Sequence, residues 1–109
     1  MFLDDLKNKN KLNRIDKYKL NIKLASMLLD NNKINELKID KSVIKFSCYN
    51  SLTKYDEYLE IDFLLSKSII RLSRKGKEMK LGTIKEFINS PQKIIHIIDN
   101  YINAIWIMK

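Results

Sequence analysis

The chain has 109 residues, of which 45% are hydrophobic and 31% charged, with two glycines, one proline, one cysteine and a formal net charge of +8. Length and balance point to a single globular domain, 1–109, and exclude a disordered chain, while a lone cysteine excludes an internal disulfide. The lone Cys48 suits a reducing compartment, and the start MFLDDLKNKNK carries acids where a leader needs a basic then apolar run, so the expected location is the cytoplasm.

Residues 1–13 read as a short helical turn, FLDDL, followed by a flexible basic joint, NKNKLN. The first long helix runs from about Arg14 to Asp30 and ends at Asn31-Asn32, because asparagine tolerates the left-handed conformation that closes helices. Ile15, Tyr18, Ile22, Ala25 and Leu29 recur at helical steps and form one apolar stripe; Leu20, Leu24, Met27 and Leu28 form a second. A helix with two such stripes has two surfaces to pack against. KINELKID, residues 33–40, fits a short helix or a strand equally well.

Three runs with a two-residue period follow: VIKFSCY (43–49), YLEIDFLL (58–65) and SIIRLS (68–73). They predict a three-stranded antiparallel meander with one face buried. RKGK then supplies a turn at Gly76, with EMKLG as its returning arm, so RLSRKGKEMKLG reads as a basic hairpin. A short helix near 84–88 precedes a long last helix, which Ser90 caps and Pro91 opens.

On the wheel of that last helix, Gln92, Lys93, His96, Asp99, Asn100 and Asn103 share a sector of about 120°, and nearly all other positions are apolar. The apolar arc is wider than one sheet face covers. Ile98, Ile102, Ile105 and Trp106 are therefore expected to pack partly on the sheet and partly on a twin helix in a homodimer. No apolar run approaches the roughly 18 residues of a membrane span. The fold class is α+β.

Total charge is weak information here. Eighteen of the 21 basic residues are lysine, and lysine, asparagine and isoleucine all have A/T-rich codons. Placement says more. Segments 7–23 and 67–85 each hold seven bases against one acid, and together contain all three arginines, while the rest of the chain is slightly acidic. Such clustering is the footprint of a polyanion-binding surface. The expected contacts are Arg71, Arg74, Lys75, Lys77 and Lys80 on the hairpin, and Lys7, Lys9, Lys11, Arg14 and Lys17 on the N-terminal arm and helix. Lysine-heavy contacts favour phosphate attraction over base reading, so the expected partner is nucleic acid, double-stranded DNA first.

Catalytic chemistry finds little support. His96 has no second histidine or cysteine at metal-ligand spacing, and two glycines cannot build a phosphate-cradling loop. Asp62 followed by Glu78-Met79-Lys80 resembles the acid and E-x-K spacing of metal-dependent nucleases, yet E-x-K arises by chance in a lysine-rich chain. Tyr49, Tyr55 and Tyr58 sit among Asp56 and Glu57, which repel phosphate and suit a protein contact better. The expectation is a small non-enzymatic protein needing neither cofactor nor metal. The alternative is a phage- or mobile-element-encoded inhibitor that binds a host (defence) enzyme.

Overall fold

Alternation along the three apolar runs becomes register in a sheet. The structure is a computed structural model that describes residues 2–107, and the side chains of residues 3–105. Strands β1 (Ile34–Asp40), β2 (Val43–Asn50), β3 (Tyr55–Leu64), β4 (Ile69–Arg74) and β5 (Lys77–Thr83) form one antiparallel sheet whose spatial order is the chain order. Helices α1 (Phe2–Lys7) and α2 (Arg14–Leu28) precede it, and α3 (Ile84–Asn89) and α4 (Pro91–Ile107) follow. The fold is α+β.

Cross-strand partners place Ile44 on Ile61 and Phe46 on Leu59, and continue to Leu72 opposite Ile61 and Ile70 opposite Phe63. All are buried, so one face of the central three strands is a continuous aliphatic layer. Phe63 meets Phe87 of α3 edge to face, with centroids 5.4 Å apart, within the preferred geometry for aromatic pairs.

The meander has five strands rather than three. Within KINELKID, all but Lys33 form strand β1, whose register slips between Asn35 and Lys38, where Glu36 takes φ 54°. That bulge hides the two-residue period from a sequence reading. The returning arm of the hairpin is a full edge strand, β5, whose residues from Lys77 to Lys80 are all exposed.

The isoleucines at the centre of the α4 arc are covered within the chain. Ile94, Ile95, Ile98, Ile102 and Ile105 are all buried, in one core with the sheet, the Leu20–Leu24–Leu28 stripe of α2 and Phe87 of α3. Asn31 Nδ2 donates to Asp99 at 2.9 Å and Lys33 Nζ to Asn103 at 2.9 Å, tying the end of α2 to α4. Ile98, Ile102 and Ile105 therefore present no surface to a second copy, which corrects the expected dimer interface. α4 packs against β2, β5, α2 and α3, which together supply the cover. The Trp106 side chain lies outside the described residues.

Candidate functional site

An antiparallel meander sends alternate turns to opposite ends. The β3–β4 turn, residues 65–68, lies at one end; the β4–β5 turn, Lys75-Gly76, lies at the other. The hairpin thus has a tip and a base well apart, and the two prove to be different places electrostatically.

At the base is a groove of about 1030 Å³ between residues 6–12, the β3–β4 turn, β5 and α3. Its lining brings together Lys7, Lys9 and Lys11 from the first basic segment with Lys67, Lys80 and Lys85 from the second. Amide and hydroxyl side chains, Asn8, Asn10, Ser66, Ser68, Thr83 and Asn89, lie between them, over aliphatic residues such as Leu6, Leu65 and Ile84. No acidic and no aromatic side chain is among these lining residues. The two basic segments of the sequence converge here.

Local structure holds these walls in place. Asn13 caps α2: its side chain accepts from the Asp16 N–H at 2.9 Å, and its own N–H donates to Asp16 Oδ2 at 2.9 Å. Lys9 Nζ reaches both Asp16 oxygens at 3.0 Å, which pins the joint to the start of α2. Burial pushes the Asp16 carboxyl up, but the Asn13 backbone and Lys9 outweigh it and hold it below its ordinary value. On the far wall, Thr83 caps α3 in the same reciprocal way with Glu86, and the Ile84 N–H donates to the Ser68 carbonyl at 3.0 Å.

Lys7 pairs with Asp4 at 3.1 Å, an exposed contact of little energetic weight, and Lys9 is committed to Asp16. Lys11, Lys67, Lys80 and Lys85 have no acidic partner among the described residues. Four unneutralised ammonium groups in one concavity make its potential positive.

The tip serves the core. Arg74 Nε donates to Glu57 Oε1 at 2.9 Å and its Nη1 to Tyr101 Oη at 3.4 Å, while Lys75 Nζ lies 3.2 Å from the same carboxylate. Glu57 is buried on the core face, opposite Cys48. Burial pushes the Glu57 carboxyl up, but Arg74 and Lys75 prevail and hold it below the usual range. The Cys48 thiol, buried and facing that carboxylate, is pushed up to about 11.

Arg71 and Lys17 are likewise neutralised, on the opposite sheet face. Lys17 Nζ lies 2.7 Å from Asp62 Oδ1, and Arg71 bridges Asp62 at 3.4 Å and Glu78 at 2.7 Å. The Arg71 guanidinium thus occupies the space between the two carboxylates of the nuclease-like spacing. Of the ten predicted contacts, Lys7, Lys9, Lys11 and Lys80 line the groove. Arg71, Arg74, Lys75 and Lys17 are held in internal ion pairs, and Arg14 and Lys77 are exposed outside it. Lys67 and Lys85, also of the second basic segment, line the groove as well, placed there by the β3–β4 turn and the start of α3.

No helix among the described residues is long and apolar enough to cross a membrane. Comparison with family models, with curated proteins and with solved structures finds none that matches this chain.

Proposed function

We propose that the protein is a non-enzymatic nucleic-acid-binding protein that grips a duplex by its phosphate backbone along the basic groove. The observation that carries this reading is the convergence of six lysines from two distant segments on a concavity whose lining has no acid. Single strands are held mainly by stacking on aromatic side chains, and none of the described side chains lining the groove is aromatic, which favours a duplex. The lining offers lysine and no arginine, which suits sequence-independent attraction to phosphate rather than bidentate reading of bases.

The test is binding to a fluorescent duplex of about 30 base pairs across salt concentrations. With four to six neutralised phosphates the log–log slope is about −3.6 to −5.4, so affinity falls roughly 150- to 1,800-fold between 50 and 200 mM salt. The Lys67→Glu/Lys80→Glu/Lys85→Glu protein is expected to lose binding, and Lys54→Glu, an exposed change in the β2–β3 turn at the other end of the sheet, to keep it. Equal binding by the triple variant removes the groove from the reading; absence of salt-dependent binding removes nucleic acid.

A further inference from the structure

The core uses only one of the two apolar stripes of α2. Leu20, Leu24 and Leu28 are buried, but Ile15, Tyr18, Ile22 and Leu29 are 66%, 58%, 42% and 70% exposed. At 100° per residue these four lie within a sector of about 60°, along about 21 Å of helix axis. They form a ridge, with half-buried Ala25 at its margin. Scattered apolar side chains on a surface need no explanation, but an aligned row of four large ones marks a contact.

The rim of the ridge identifies the partner's chemistry. Arg14 borders one long side, and Lys19 and Lys23 the other, none within ion-pair distance of an acid among the described residues. Asp16, the acid within α2, is buried and bound to Lys9, with Lys19 adding longer-range attraction, and Asp30, exposed one residue past Leu29, is the acid at the end of the ridge. A second copy of this chain is a poor occupant. Whether two such ridges pair parallel or antiparallel, a cationic rim faces a cationic rim, and like charges across an interface are repulsive. The ridge is also narrow, and its helix is held in the core by the opposite side, unlike the broad apolar face that an interfacial helix lays into a bilayer.

We propose that this face of α2 docks an acidic amphipathic helix of a partner protein, whose apolar seam covers Ile15, Tyr18, Ile22 and Leu29 and whose flanking carboxylates meet Arg14, Lys19 and Lys23. Anchors at these spacings are how an amphipathic helix meets a complementary seam. This contact is independent of the lysine groove and stands or falls separately.

The experiment is selection of displayed random peptides of about 15 residues, four helical turns, on the full chain, with the Ile15→Asp/Ile22→Asp protein as counter-selector. Both positions are exposed, so the variant is expected to melt like the parent; Tyr18→Ser/Leu29→Ser is the second variant should it not. Enriched peptides are expected to carry apolar residues three, four and seven apart with a net negative charge. They should bind the parent at least about tenfold more tightly than either apolar variant or Lys19→Glu/Lys23→Glu. Duplex binding should be unchanged in Tyr18→Ser/Leu29→Ser, which leaves the net charge as it is. Enrichment of neutral or basic peptides, affinity indifferent to the ridge, or no enrichment overturns the proposal. So does ridge-dependent self-association in light scattering, or ridge-dependent sedimentation with phosphatidylglycerol vesicles, which would assign the face to a second copy or to lipid.

Discussion

Arg74 sits at the tip of the most basic hairpin in the chain, yet its removal is expected to destabilise the fold rather than to weaken binding. Its guanidinium holds a carboxylate, Glu57, that is only 3% exposed in its side chain, and contacts Tyr101 of α4. Replacing Arg74 with methionine keeps much of the apolar stem but leaves Glu57 charged inside the core, with the largely exposed Lys75 as its remaining cation. Breaking a buried pair in this way costs about 3–5 kcal/mol, and the partial cover from Lys75 argues for the lower end. For a chain of this length that is a fall in melting temperature of roughly 10–15 °C. The pH dependence gives the sign. Glu57 is held below its ordinary value of 4.5, so its contribution is present above that pH and is lost as pH falls through the lower, folded value. Without Arg74, burial dominates and the carboxyl moves up. The deficit of Arg74→Met is therefore widest near neutrality and narrows on acidification, as Glu57 takes up a proton. Thermal melts followed by circular dichroism between about pH 3 and 7 measure this, and Glu57→Gln/Arg74→Met should recover part of the loss. A fall of less than about 4 °C, or a deficit independent of pH, would refute the reasoning.

Three further outcomes are expected. Cys48 is fully buried with its thiol pushed up to about 11, so a thiol-reactive dye should label native protein roughly a hundredfold more slowly than protein in guanidinium; comparable rates would place the thiol at the surface. Ile102→Asp places an unpaired carboxylate in the core and should abolish the cooperative melt, whereas Asn103→Asp, one position along on the exposed side, should melt like the parent; a folded monomer from Ile102→Asp would restore the helix face as an interface. In Gly82→Ala the new Cβ lands 2.6 Å from Ile94 Cδ1 inside the core, a crowding worth about 1–3 kcal/mol by urea unfolding; an unchanged midpoint would mean that Ile94 moves aside freely.

β2, β3 and β4 were legible because each alternates against a buried face, and α2 and α4 because their periodicity runs long. β1 was not, since a bulge at Glu36 breaks the period. β5 was only half legible: it is an edge strand with Leu81 as its single buried residue, and a second register slip lies beside that residue. The apolar arc of α4 is visible in the sequence, but a helical wheel does not say what covers it. The two basic segments were legible as charge, while their ion pairs were not. Arg74 finds Glu57 diagonally on the neighbouring strand, and Lys17 finds Asp62 from another element altogether, so tertiary pairing decides which cations stay free.

The Lys9–Asp16 contact bears on how quickly a ligand can be taken up. With Lys9 fixed to the start of α2 and Leu12 packed against the core, the near wall of the groove stands in place before anything arrives. A preorganised wall spares the entropy of ordering a loose arm at the moment of contact. Uptake of a polyanion is then a single bimolecular encounter drawn by long-range attraction, and its rate rises in proportion to ligand concentration and falls with ionic strength. An arm that had to settle first would instead impose a ceiling on that rate, reached at high ligand concentration and indifferent to salt.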